Sequence, residues 1–141
     1  WQAIRAVKQA VRIPVIADGD ITDAASARAA LAQSGADGVM IGRGAQGRPW
    51  VLAEIAHALY GTPAPNIPQG AARAAMILDH YEDMLSFYGR DLGLRCARKH
   101  LGWFLDAAGL DQARAEVLTA TDPSRVAGLV EAAFATPELA A

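Results

Sequence analysis

The stretch GADGVMIGRGAQGRPW, residues 35–50, places the strongest limit on the fold of this chain. Residues 39–41 form a short uncharged apolar run, which is typical of a strand buried on both faces in a parallel sheet. Glycines recur through residues 42–47, and Pro49 suits the first position of a helix, where no N–H is needed. This pattern favours a phosphate-binding turn, although a plain strand-to-helix connection has it too. Arg48 is either a second cation of that turn or a surface partner.

A second polar turn follows the apolar strand predicted at PVIA, and it consists of Asp18, Gly19 and Asp20. The carboxyl ends of neighbouring parallel strands meet at one edge of a sheet, so we expect this turn to lie beside Gly42 and Arg43. In barrels built from parallel strands, the last two such turns commonly bind phosphate. Main-chain amides would supply neutral donors there, and the Arg43 guanidinium a charge-assisted one.

The first sixty residues alternate in the order helix, strand, helix, strand, helix, which indicates an α/β fold with a parallel sheet. Two strands cannot close a sheet, and a (β/α)8 or TIM barrel needs about 250 residues. We therefore expect residues 1–61 to be the last part of an incomplete TIM barrel, in a chain cut from something longer. An exposed flank of Val, Ile and Met would let the fragment dimerise or swap, whereas the parent is expected to be monomeric.

The composition changes at residues 62–70, TPAPNIPQG, which contain three prolines and no charge. Such a segment is typical of a stiff linker. Beyond it, apolar residues recur only at helical spacing, and Gly89 and Gly109 mark helix ends. We predict that residues 71–141 form an all-α helical bundle.

The bulk composition excludes several classes of protein. A net charge of −2 gives no general attraction to nucleic acid or anionic membranes. No apolar run approaches the roughly 18 residues of a membrane span. The single cysteine cannot form an internal disulfide, and with only three histidines no metal site is expected. We therefore expect a cytoplasmic protein.

One cluster of cations stands out in the helical half. Arg95, Arg98 and Lys99 have the spacing i, i+3 and i+4, which places them in one stripe of a helix, with His100 nearby. The stripe is offset from the apolar face on a helical wheel, so we expect these cations to lie clear of the core. The stripe either binds the phosphates of a structured RNA or is an ordinary solvated face that nearby aspartates neutralise.

Two sets of motifs, in order, resemble one family. IPVIADGDI and GADGVMIGRGAQGRPW resemble the end of the flavin barrel of tRNA-dihydrouridine synthases, in their bacterial B-type branch. LGLRCARKHLGWFL resembles the RxxRKHxxW helix of that family's C-terminal helical domain. The resemblance implies an FMN-dependent oxidoreductase that uses NADPH, or NAD(P)H more generally, to reduce uridine to 5,6-dihydrouridine in tRNA.

By this resemblance, the ribityl-phosphate arm of FMN is held by Asp18, Gly19, Asp20, Gly42 and Arg43. Asp18 departs from the family pattern, in which asparagine is typical. A carboxylate there would bond the hydroxyls of the flavin but repel its phosphate, so Gly42 and Arg43 are the firmer assignments.

The same resemblance implies that the helical domain binds tRNA, through Arg95, Arg98, Lys99 and His100. The cysteine acid of the family lies on an earlier barrel loop, so this chain is expected to hold no catalytic residue and to be inactive alone. Cys96 lies in the helical half and is interpreted as a packing residue.

Two alternatives stay open at this point. Another phosphate-binding FMN barrel, acting on a small molecule, would bind flavin but not tRNA, and it leaves the basic helix without a role. A helical RNA-binding or regulatory module with a remnant of a sheet would bind tRNA without flavin. Its open strand edge is unfavourable in a stand-alone module.

Overall fold

The computed structural model describes residues 1–135 of the chain. Its internal contacts separate a first unit, Trp1–Asn66, from a second unit that begins at Ile67. The helical domain predicted at residues 71–141 extends to the end of the chain, so its last six residues lie outside the described range.

The first unit alternates helices and strands. Its elements are α1 (Gln2–Ala10), β1 (Ile16–Ala17), α2 (Ala24–Ser34), β2 (Gly38–Val39), a 3-10 helix (Arg43–Ala45) and α3 (Val51–Tyr60). Asp23 begins α2 with a reciprocal capping box, because its carboxylate accepts from the Ser26 amide while the Ser26 hydroxyl accepts from the Asp23 amide. This hydrogen bonding lowers the pKa of Asp23.

Both strands are shorter than the predicted runs at residues 14–17 and 39–41, since only two residues of each strand are paired. Helix α3 begins at Val51 rather than near Pro49, because residues 46–50 form turns first. The two strands pair in parallel, with Ile16 opposite Gly38 and Ala17 opposite Val39.

A small core holds the first unit together. Its buried members are Ile21, Ala27, Ala30, Val51 and Ile55, and Trp1, Val39 and Ile41 pack against it. The other side of the sheet is uncovered, since Ile16 and Met40 are each 54% exposed and Ile13 is 68% exposed. The isoleucine and methionine of the predicted exposed flank are therefore present, whereas Val39 packs against the core.

The second unit contains helices only, within its described residues. They are α4 (Gly70–Tyr88), α5 (Arg90–Ala107), α6 (Asp111–Thr119) and α7 (Pro123–Ala135). They surround one apolar core centred on Tyr81, Leu101, Leu105, Val126 and Phe134. Within residues 1–135, no helix has the length and apolar character that a membrane crossing requires.

Candidate functional site

The turns that follow β1 and β2 lie side by side in the first unit. The strands run in parallel, and the Met40 amide extends their pairing by donating to the Ala17 carbonyl at 2.8 Å. Together the two turns line a cleft of about 510 Å³, which falls within the range of small-molecule sites. Its lining residues are Asp18, Gly19, Asp20, Ile21, Thr22, Gly42, Arg43 and Gly44. All five residues predicted to hold the cofactor arm thus line one cleft, and their role in binding stays a prediction.

Gly44 brings the two turns into direct contact. A Cβ atom at this position would lie 2.1 Å from the Ile21 carbonyl oxygen and 3.1 Å from the Thr22 Cα. Only glycine allows this approach, so the turn that follows β2 packs directly against the main chain that follows β1. By contrast, nothing lies within 4 Å of a Cβ built on Gly19 or Gly42, and their backbone is open to a ligand.

The turn that follows β1, residues 18–20, has an unusual backbone. Gly19 has φ of +110°, and Asp20 has φ of +53°, the only positive value at a non-glycine residue between residues 1 and 135. Aspartate tolerates this left-handed conformation better than most residues, but at a cost in energy. Strained turns of this kind cluster at ligand sites because they aim main-chain amides in directions that regular structure does not.

Three charged side chains line the cleft, and they are the exposed Asp18, Asp20 and Arg43. Within the described chain, the Arg43 guanidinium makes no hydrogen bond or ion pair, so it is available to a ligand. Arg48 lies outside the cleft and pairs with Glu54 at 3.2 Å, which makes it a surface partner. Amides and one free cation suit a phosphate, whereas the carboxylates suit hydroxyl donors.

Sequence reasoning missed Trp1 and Gly44 as parts of this site. The Trp1 indole N–H donates to the Gly19 carbonyl at 2.8 Å, across 18 residues of sequence. Trp1 immediately precedes α1 and belongs to no motif of the sequence, so nothing there indicated a partner for its indole N–H. Gly44 belonged to the glycine-rich run, but the run alone did not distinguish the glycine in tight contact from those that stay open.

The basic stripe on α5 divides into two parts. Arg95 and Lys99 are exposed, and within residues 1–135 neither has an ion-pair partner. The Lys99 Nζ lies 5.9 Å from the centre of the Trp103 ring, within the range of a cation–π contact. Asp106, one of the aspartates expected to neutralise the stripe, instead binds Arg114 at 2.7 Å.

Arg98 does not belong to the solvated stripe, and the expectation that all these cations lie clear of the core is wrong for this residue. Its Nη2 donates to the carbonyl of Ala120 at 3.5 Å, and its Nε is buried without a partner in the described structure. The reason is the packing of α6 against α5, which places the C-terminal end of α6 beside Arg98. The guanidinium therefore lies against the end of α6, where a cation also favours the helix dipole.

His100 is partly buried among aromatic rings. Its ring centre lies 5.2 Å from that of His80 on α4 and 5.0 Å from that of Trp103, both in edge-on contacts. Burial, with further contributions from His80 and Lys99, lowers the pKa of His100 below its usual value of 6.5. At neutral pH His100 is therefore an uncharged hydrogen-bonding group. Cys96, half-buried on the same helix, is a free thiol outside the cleft residues.

A family model described as dihydrouridine synthase matches residues 1–137, nearly the whole chain. This chain belongs to the dihydrouridine synthase family. The family membership predicted from the two sets of motifs is therefore confirmed.

Several curated relatives are similar to this dihydrouridine synthase chain. A probable tRNA-dihydrouridine synthase of Rhodobacter capsulatus is 59% identical over 140 residues, which are 99% of this chain and 43% of the relative. The tRNA-dihydrouridine synthase B of Serratia marcescens is 46% identical over 95% of this chain and 40% of its own length. A probable tRNA-dihydrouridine synthase of Rickettsia conorii is 48% identical over 74% of the chain and 31% of its own length. The chain thus spans less than half the length of each of these relatives.

Proposed function

We propose that the full-length protein is a tRNA-dihydrouridine synthase, an FMN-dependent oxidoreductase that reduces uridine in tRNA to 5,6-dihydrouridine with NADPH. The observation that carries this proposal is a cleft built from two parallel strand ends, in a chain whose family and relatives bear that name. Residues 1–61 would be the last part of a TIM barrel, residues 62–70 a linker, and residues 71–141 a tRNA-binding helical domain. The cytoplasm, which contains the tRNA substrate, is the proposed place of action.

The cleft residues fit the arm of FMN in their chemistry. Gly19 and Gly42 leave the main chain open, and Arg43 is a free cation for the phosphate. The carboxylates of Asp18 and Asp20 can accept from ribityl hydroxyls. When bound, FMN would supply the two electrons that the uracil ring takes up, while these residues bind and orient its arm.

The exposed part of α5 fits an RNA backbone. Arg95 and Lys99 are exposed cations without an ion-pair partner among residues 1–135, and the Lys99 Nζ lies 5.9 Å from the centre of the Trp103 ring. His100 would contribute a neutral hydrogen bond, because its pKa lies below the usual value. Arg98 would act indirectly, by holding the end of α6 against the helix that carries the contacts.

The test begins with the visible absorption spectrum of the purified full-length protein and chromatography of any chromophore that heat releases. The protein is then incubated with NADPH and tRNA lacking dihydrouridine, and the nucleosides are analysed by mass spectrometry. Released FMN and a new dihydrouridine peak would support the proposal. A colourless protein that FMN does not reconstitute would contradict it, and flavin binding without tRNA reduction would favour an FMN enzyme acting on small molecules.

A matched pair of arginine variants tests the site itself. Arg43→Gln removes the free cation of the cleft, and we expect FMN to bind roughly 10- to 100-fold more weakly, the usual value of a charge-assisted hydrogen bond. Arg48→Gln removes a nearby arginine that pairs with Glu54 outside the cleft, and its FMN affinity should match that of the wild type. Equal losses in both variants would show that general charge, not the cleft, determines binding.

A further inference from the structure

The turn that follows β1 has little internal support. Asp18, Gly19 and Asp20 are exposed, and two of the three have positive φ values. In the described part of the chain, no main-chain hydrogen bond outside the regular elements involves these three residues. Among residues 1–135, the one hydrogen bond that reaches their main chain comes from the Trp1 indole N–H, which donates to the Gly19 carbonyl at 2.8 Å.

Trp1 is well placed to fix this turn. Its ring packs against the core of the first unit, so its indole N–H projects from an anchored group. The peptide between Gly19 and Asp20 is trans, and its carbonyl and N–H therefore point in opposite directions. A bond that holds the Gly19 carbonyl on the Trp1 side consequently holds the Asp20 amide facing away from Trp1.

We propose that Trp1 is a positioning residue of the cleft, which acts through the turn rather than by touching the ligand. Its indole N–H orients the Gly19–Asp20 peptide so that the Asp20 amide is presented to the ribityl-phosphate arm of FMN. This inference rests on the proposed function. Trp1, which lies outside the cleft lining, would thereby help the site to select a flavin that carries a phosphate.

The test uses the full-length protein and two replacements of Trp1. Trp1→Phe keeps an aromatic ring but removes the N–H. Benzothienylalanine, with sulfur in place of the indole N–H, keeps the bicyclic shape and covers the case in which Trp1→Phe does not fold. We expect either replacement to weaken FMN binding about 2- to 10-fold, the value of one hydrogen bond. Trp50→Phe, a tryptophan replacement in the same unit outside the cleft lining, should leave FMN affinity unchanged.

Riboflavin, which lacks the phosphate, separates positioning from general loss of structure. A positioning role predicts that the ratio of FMN to riboflavin affinity falls in the Trp1 variants, with thermal unfolding measured in parallel. An unchanged ratio, or unchanged FMN affinity in the benzothienylalanine protein, would overturn the inference. Failure of the wild-type protein to bind FMN would instead overturn the proposed function, so the two failures are distinguishable.

Discussion

The contact between the two turns of the cleft makes Gly44→Ala the sharpest test of the site. A methyl group at this position would lie 2.1 Å from the Ile21 carbonyl oxygen, and real Cβ atoms essentially never approach closer than 3.0 Å. The atom in the way belongs to the main chain and cannot rotate aside. The 3-10 helix and the main chain at Ile21 must therefore separate by about 0.9 Å, the difference between these two distances.

This displacement exceeds the tolerance of about 0.5 Å within which binding groups must be held. We expect Gly44→Ala to weaken FMN binding by roughly tenfold or more, because the amides of the two turns no longer converge. Overpacking of this kind also costs about 1–3 kcal/mol of folding free energy. The variant should therefore unfold at a lower temperature than the wild type.

FMN titration followed by flavin fluorescence, together with thermal unfolding, measures both effects in the full-length protein. Gly38→Ala is the matched control in the same unit. Its methyl group would lie 3.1 Å from the Cδ1 of Ile16, the end of a half-exposed side chain that can move. Wild-type FMN affinity and unfolding temperature in Gly44→Ala would refute the idea that contact between the turns shapes the cleft.

Three further predictions concern ionisable side chains. Asp18→Asn removes a like charge near the phosphate and should tighten FMN binding roughly 3- to 10-fold, measured by titration; weaker binding would mean that the carboxylate is needed. Arg98→Ala should destabilise the protein by about 1–2 kcal/mol in urea unfolding, while the exposed Arg95→Ala mainly reduces tRNA affinity and its salt dependence. Because the pKa of His100 is depressed in the folded state, stability should fall as pH drops below about 6.5. His100→Gln should flatten this fall in a series of unfolding temperatures against pH.

The parts of the structure that follow local rules were predictable from the sequence. Gly89, which the sequence analysis marks as a helix end, follows the last residue of α4, because a glycine stops a helix by a local rule. The convergence of the two turns followed from the parallel order of the strands, since a parallel sheet places successive carboxyl ends at one edge.

The features that the sequence did not predict depend on tertiary distance. The bond from Trp1 to Gly19 and the contact of Gly44 with Ile21 join residues about twenty positions apart, whose approach no periodicity encodes. Arg98 was misjudged because a wheel for one helix omits its neighbour: the packing of α6 against α5 covers its guanidinium. The strands were overestimated because apolar runs predict burial, and only two residues of each strand are paired.

The charges of the cleft explain why its rigidity matters. Two carboxylates and one guanidinium give the lining a formal charge of −1, so long-range attraction does not bring an anion into the cleft. Binding of a phosphate must therefore come from donors held at fixed positions, because fixed amides bind an anion without the cost of ordering them at the time of binding. The contacts of Trp1 and Gly44 hold the main chain of both turns in place. Trp1, which lies outside the cleft lining, can thus contribute to affinity through the main chain that it holds in place.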